Sequence, residues 1–215
     1  MTRLALIHAL AHSVAPINEA LARDWPEATR MNLLDDSLSA DLAASPTGLD
    51  DAMTQRFVAL ADYAVGTGAQ GILFTCSAFG PCIDAVKRRH AAIAVLKPNE
   101  AMIDEAAALG VRVGLVATFV PTLRSMPAEF PPTVEVRTAL AEGALDALNR
   151  GDVERHDALA AQAARRLVAD EGCGVVALAQ FSLARARPSV QAACGVAVLT
   201  TVDSAVRALR TRLGH

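Results

Sequence analysis

The stretch Gly71-Ile-Leu-Phe-Thr-Cys76-Ser77-Ala78-Phe79-Gly80-Pro81 decides the fold class of this 215-residue chain. An apolar run bounded by glycine, then a short loop and a proline at a helix start, reads as a buried parallel strand feeding a helix. Its last residue, Cys76, reaches the loop at the strand's carboxyl end, the edge where open α/β folds bind ligands. The same unit recurs at Val175-Val-Ala-Leu-Ala-Gln180, followed by Phe181-Ser182 and another helical pattern. Gln180 stands where a second Cys76 would.

Outward from these two strands, short aliphatic and β-branched runs predict further strands at 3–8, 29–34, 92–96, 112–118, 133–137 and 195–200, with the pair themselves at 71–76 and 174–180. Helical patterns separate them, so the class is α/β with parallel pairing. Asp50-Asp51 opens one helix, carried through Phe57, Leu60, Ala61 and Ala64 and ended by Gly66 and Gly68. Pro98-Asn99-Glu100 opens a helix that closes at Gly110, and Gly151-Asp152 opens another that closes at Gly172.

Sliding the chain on itself by 104, the difference between 180 and 76, sets Cys76 on Gln180, Gly68 on Gly172, Val86 on Val190 and Val95 on Leu199. The repeat lies in the order of the elements more than in the letters. It predicts two similar parallel-sheet α/β domains related by a pseudo-two-fold repeat. The first comprises residues 1–97 plus the C-terminal helix 203–215, and the second 98–202. A cleft between them would hold the site, with Cys76 and Gln180 within roughly 10 Å, a span that a small acid could bridge.

Composition narrows the function classes. Hydrophobic residues make up 53% of the chain and aromatics only 4%, which suits strand–helix layers packed with Ala, Val and Leu. A net charge of −3 offers no electrostatic case for nucleic acid or an anionic membrane. The run Lys87-Arg88-Arg89-His90 falls at a helix end, where cations complement the dipole. No apolar stretch reaches the ~18 residues of a membrane span, and the start of the chain reads as a first strand and not as a signal peptide. Cys76, Cys82, Cys173 and Cys194 have no metal-ligand spacing, so free thiols in a cytoplasmic setting are expected. No glycine-rich phosphate loop follows any strand and no lysine has a pyridoxal context, so no cofactor is expected. His156, within Asp152-Val-Glu-Arg-His-Asp157, fits no helical ligand motif and reads as a solvated helix start.

The candidate site residues follow from strand ends. Cys76 is the candidate reactive thiol, while the other three cysteines read as structural. Ser77 and Ala78, in the loop after the thiol, offer a hydroxyl and backbone N–H groups to an anion. Thr118 ends the fifth strand; Gln180, with Phe181 and Ser182, ends the seventh. His8 ends the first strand and His12 lies in the loop beyond. Ligand contact and local hydrogen bonding are both open for these two histidines.

Three stretches carry a family likeness: Phe74-Thr75-Cys76-Ser77-Ala78, Val113-Gly114-Leu115-Val116-Ala117-Thr118 and Leu178-Ala179-Gln180. On these, over nearly its whole length, the chain resembles the aspartate/glutamate/hydantoin racemase superfamily, which includes cofactor-independent racemases and related decarboxylases and isomerases. The resemblance implies a small carboxylic-acid or amino-acid substrate, bound without a metal or cofactor and with its α-carbon between two thiols. It leaves room for a homo-oligomer. One thiol would remove a proton and the other return it, with the carbanion held as an enediolate by fixed donors.

Gln180 departs from that pattern, because an amide neither donates nor accepts a proton at neutral pH as a thiol can. One-thiol chemistry at Cys76 is the expectation: decarboxylation followed by protonation, or isomerisation. His8, His12 and Ser182 are candidates for a second acid. A helix start beside Cys76 is expected to lower its pKa. The rival reading is a small-acid binding or regulatory protein that lost its chemistry with the second cysteine.

Overall fold

The computed structural model describes residues 2–215. The chain divides into two compact units, one reaching Pro98 and rejoined by Ala205–His215, the other spanning Asn99–Ser204. In the first unit the order is β1 (Arg3–His8), α1 (Val14–Asp24), β2 (Thr29–Leu34), α2 (Ser37–Ala44), α3 (Asp51–Gly66), β3 (Gly71–Phe74), α4 (Gly80–Arg89) and β4 (Ala94–Leu96). The second holds α5 (Glu100–Ala108), β5 (Val113–Ala117), α6 (Val120–Ser125), β6 (Val136–Leu140), α7 (Ala144–Asn149), α8 (Val153–Ala169), β7 (Val175–Leu178), α9 (Arg187–Cys194) and β8 (Ala197–Thr200). Helix α10 (Thr201–Arg212) begins in the second unit and returns the chain to the first.

Each unit is an all-parallel four-stranded sheet, ordered β2-β1-β3-β4 in one and β6-β5-β7-β8 in the other. The α/β class with two similar parallel sheets is thus as the sequence predicts. The registers match as well: Ile7 lies opposite Phe74 in the first sheet and Val116 opposite Leu178 in the second. The central strands are buried along their whole length apart from Arg3, which is why they read as continuous apolar runs. The partly exposed β2 and β6 are edge strands.

The two cores are filled differently. In the first unit Phe57 of α3 packs on Phe74 and Phe79, with ring centroids 5.3 and 4.8 Å away. In the second, α8 presents the fully buried Ala160, Ala163 and Ala164, so its backbone lies close to the sheet. A Cβ on Gly114 of β5 would stand 3.1 Å from Leu167 Cβ, so any side chain there would press on this helix and force it to give by a few tenths of an ångström. The helices α3 and α8 are built alike. Asp50 caps α3 by accepting the Met53 N–H at 2.8 Å, and Asp152 caps α8 by accepting that of Arg155 at 3.1 Å. Gly68 and Gly172, which the repeat aligns, both follow these helices with φ of +87° and +66°.

Several boundaries differ from the sequence reading. Strands β3 and β7 stop at Phe74 and Leu178, two residues before Cys76 and Gln180, because the paired ladders end at Ile7–Phe74 and Val116–Leu178. Strand β5 covers only Val113–Ala117, and β8 begins at Ala197. Strand β6 starts at Val136 and not at 133, because Val134 N–H closes a turn on Pro131 C=O at 2.9 Å and pairing begins only where Val136 meets Val113. Strand β4 starts at Ala94, since Ile93 N–H is bonded back to His90 C=O at 3.1 Å. Helix α10 starts at Thr201, two residues early. Thr200 is its cap, accepting the Asp203 N–H at 3.0 Å and donating its hydroxyl to the Asp203 carboxylate at 2.8 Å.

Candidate active site

Cys76 and Gln180 occupy equivalent places in their units. Each lies two residues beyond a central strand, with extended backbone (φ, ψ of −127°, 120° and −138°, 147°), and each opens a 3-10 turn, Ser77–Phe79 or Phe181–Ala186. The chain behind them is held alike: Thr75 N–H bonds to Ile7 C=O at 3.0 Å, and Ala179 N–H to Val116 C=O at 2.9 Å.

Side chains alternate along a strand, so Cys76 follows Ile72 and Phe74 onto the face covered by α2, α3 and α4, and it packs on that core cluster. Ile7, His8, Ala9, Leu38, Phe57 and Phe74 line a small, mostly apolar hollow with it, too narrow to admit water. The residue keeps some exposed surface, but its sulfur is largely taken from water. Burial pushes the thiol pKa up, only partly opposed by the Ala78 N–H and the Ser39 hydroxyl. The lowering expected from the adjacent helix start therefore does not win: desolvation of a thiolate on an apolar floor outweighs one turn of backbone dipoles. The Lys97 ammonium, which lies beside Gly80, is held by Asp84 at 2.8 Å.

Ser39 and its helix are features that the sequence reading missed. Ser39 donates to Ala9 C=O at 2.9 Å. Arg56 on α3 pins the loop that leads into α2, bonding Asp35 at 2.7 Å, Asp41 at 2.6 Å and the Ser37 hydroxyl at 2.6 Å. Nothing in the local sequence connects Ser39 with a thiol 37 positions later, the difference between 76 and 39.

In the second unit Gln180 Oε1 accepts two hydrogen bonds from Thr118, from the backbone N–H at 2.6 Å and from the hydroxyl at 3.0 Å. A backbone N–H can only donate, so the atom facing it is the amide oxygen, which fixes the orientation of the side chain. The NH2 of Gln180 thereby points away from Thr118 with two protons to offer. Ser182 is buried nearby in sequence, and the Phe181 ring is fully buried. His8 is buried with both ring nitrogens engaged, at 2.9 Å from Thr75 Oγ1 and 3.0 Å from Asn32 Oδ1. Its pKa is held down by burial, against an upward pull from Asn32. His12 is exposed on the 3-10 turn Ala11–Ser13. Thus the first unit gathers His8, Cys76, Ser77 and Ala78 at its strand ends, and the second Thr118, Gln180, Phe181 and Ser182.

His156, which the sequence reading places on a solvated helix start, is fully buried; its Nδ1 lies 2.7 Å from the Asp157 carboxylate. All four cysteines are free. Among the described residues no group of His, Cys, Asp and Glu side chains could hold a metal ion, and no helix is long and apolar enough to cross a membrane.

A sequence model of the Asp/Glu/Hydantoin racemase family matches residues 11–209. Among curated proteins, none is significantly similar in sequence. Solved structures with the same fold include an aspartate racemase homologue from Pyrococcus horikoshii OT3 (TM-score 0.76, 16% identity, covering 100% of both chains). Glutamate racemase from Francisella tularensis subsp. tularensis SCHU S4, in complex with D-glutamate, is similar at TM-score 0.73 and 17% identity, over 99% of this chain and 81% of that one. A glycine-to-cysteine mutant of arylmalonate decarboxylase in its sulfate-associated form gives TM-score 0.68 and 20% identity, over 99% and 93%.

Proposed function

The chain belongs to the Asp/Glu/hydantoin racemase family, and on that premise we propose that it is a cofactor-independent enzyme acting on a small carboxylic acid by single-thiol proton transfer at the α-carbon, with Cys76 as the acid. The observation that carries this reading is Gln180: the place equivalent to Cys76 holds an amide whose oxygen is tied to Thr118. Its NH2 is a donor for a substrate carboxylate and has no proton to give a carbanion.

Decarboxylation of an α,α-disubstituted malonate-type acid fits these groups. The bond from the α-carbon to one carboxylate breaks and CO2 leaves. The electron pair stays on the α-carbon, spread into the remaining carboxylate as an enediolate. The Ser77 hydroxyl and the N–H groups of the 77–80 turn, in the same unit as Cys76, are the donors for that charge. Cys76 S–H then forms the new C–H bond, and water returns a proton to the thiolate. A thiol kept protonated by its apolar surroundings is suited to giving a proton.

The test is turnover of disubstituted malonic acids in D2O, with CO2 release and chiral analysis of the product. The expected result is one product enantiomer with one deuterium, and little α-proton exchange with either enantiomer of aspartate or glutamate. Rapid racemisation with label in both enantiomers would overturn the single-thiol reading.

A further inference from the structure

The first unit contains a run of polar side chains on the sheet face opposite Cys76, and its proton positions can be deduced one after another. It starts at α1. Asn18 Nδ2 lies 2.8 Å from Val14 C=O, a pure acceptor, so that atom is the amide nitrogen. The same nitrogen lies 2.8 Å from an Asn32 side-chain atom, which must therefore be the oxygen. The returning bond agrees, with Asn32 Nδ2 at 3.2 Å from Asn18 Oδ1. Asn32 Oδ1 also faces His8 Nε2 at 3.0 Å, so Nε2 carries a proton.

On a neutral imidazole Nδ1 is then an acceptor, and its neighbour at 2.9 Å is the Thr75 hydroxyl, which donates to it. Burial favours that neutral ring. The other acceptor in reach of Thr75, Ile7 C=O, is farther off at 3.4 Å. Thr75 is the residue immediately before Cys76.

We propose that His8 is a positioning residue, a neutral Nε2–H tautomer whose Nδ1 accepts a hydrogen bond from the Thr75 hydroxyl and so fixes, from behind, the strand end that carries Cys76. This gives His8 work other than ligand contact. The direction of the whole chain is set by one backbone carbonyl on α1. Its consequence for reactivity rests on Cys76 being the reacting thiol; the tautomer itself does not.

Long-range 1H–15N NMR of the histidine rings in the full-length protein, with His8 assigned by its loss in His8→Gln, reads the tautomer directly. The expected pattern at neutral pH is Nε2–H for the wild type. In Asn32→Leu, where Nε2 has lost its acceptor, the pattern should invert to Nδ1–H, donating to Thr75. An Nδ1–H ring or an imidazolium in the wild type would overturn the proposal. A ring unchanged in Asn32→Leu would overturn the part played by Asn32.

The link to the thiol is read by peptide-resolved iodoacetamide labelling of Cys76. Thr75→Val should change its rate about threefold or more, equivalent to about half a unit of thiol pKa, while Thr75→Ser, which keeps the hydroxyl, should restore it. Equal rates in the wild type and both variants would refute the positioning role even with the tautomer confirmed. Failure of the malonate assay alone would leave both readouts standing and would count against the proposed reaction.

Discussion

The two strand ends share a backbone and differ in what holds them. In the first unit the pair behind Cys76 is His8 and Thr75, polar and hydrogen-bonded. The register places Ala117 and Ala179 at the corresponding points of the second unit, both fully buried. Cys76 is thus braced from the back of its sheet, whereas Gln180 is held from the front, by the N–H and hydroxyl of Thr118. A thiol can accept only weak hydrogen bonds, so its placement falls to its neighbours; an amide can anchor itself. Under the proposed reaction, the duplicated scaffold supports one group that reacts and one that binds.

The sharpest way to break this comparison is to exchange the reactive atom. Cys76→Ser should abolish turnover of any carboxylic-acid substrate, since a serine hydroxyl is too weak an acid to stand in for the thiol. Cys82→Ser, on α4 and buried in the core, should keep most of it. Equal rates for the wild type and Cys76→Ser would end the proton-transfer proposal.

At Gln180 two variants separate binding from proton supply. Gln180→Ala should weaken substrate binding by about tenfold, the worth of a hydrogen bond to a charged group, seen as a raised KM in steady-state kinetics. Gln180→Cys supplies a second thiol but leaves the Thr118 N–H without its acceptor. Weak two-face deuterium incorporation is the expected gain, and its complete absence in a folded variant would argue that a thiol there is misplaced.

The cores should answer substitution in opposite senses. Phe57→Ala removes the ring that joins Phe74 and Phe79 and should cost about 3–5 kcal/mol in denaturant unfolding. In the second unit the damaging change is enlargement: Ala163→Leu, beneath α8, should cost about 1–3 kcal/mol. The caps give the smallest contrast. Asp50→Ala should cost about 1 kcal/mol, and Asp152→Ala less, in line with its longer bond and exposed setting.

Stability against pH sharpens the first-unit side. The folded pKa of His8 lies below its unfolded value, so its contribution is present above about pH 6.5 and is lost as pH falls through the folded pKa. The folded pKa of Cys76 lies above its unfolded value, so its contribution is present below about pH 8.5 and is lost as pH rises toward the folded value. Denaturation midpoints across pH should show both limbs, with His8→Gln flattening the acid one and Cys76→Ser reducing the alkaline one.

The sequence by itself determined the α/β class, the parallel strands and their order along the chain. Strands buried on both faces must be apolar throughout, and helix starts and stops carry local signals such as Asp50, Asp152, Gly68 and Gly172. It also singled out Cys76 and Gln180, because a loop residue after a buried strand has few places to go. It placed β6 three residues early, since pairing register and not composition decides where a strand begins. Only the tertiary structure decided the partners of the site. Ser39, Asn32 and Asn18 come to the strand ends from other elements, as does Thr118 to Gln180. The direction of the thiol's pKa shift was likewise hidden, because desolvation depends on side chains such as Leu38 and Phe57 that meet Cys76 only once the helices have packed on the sheet.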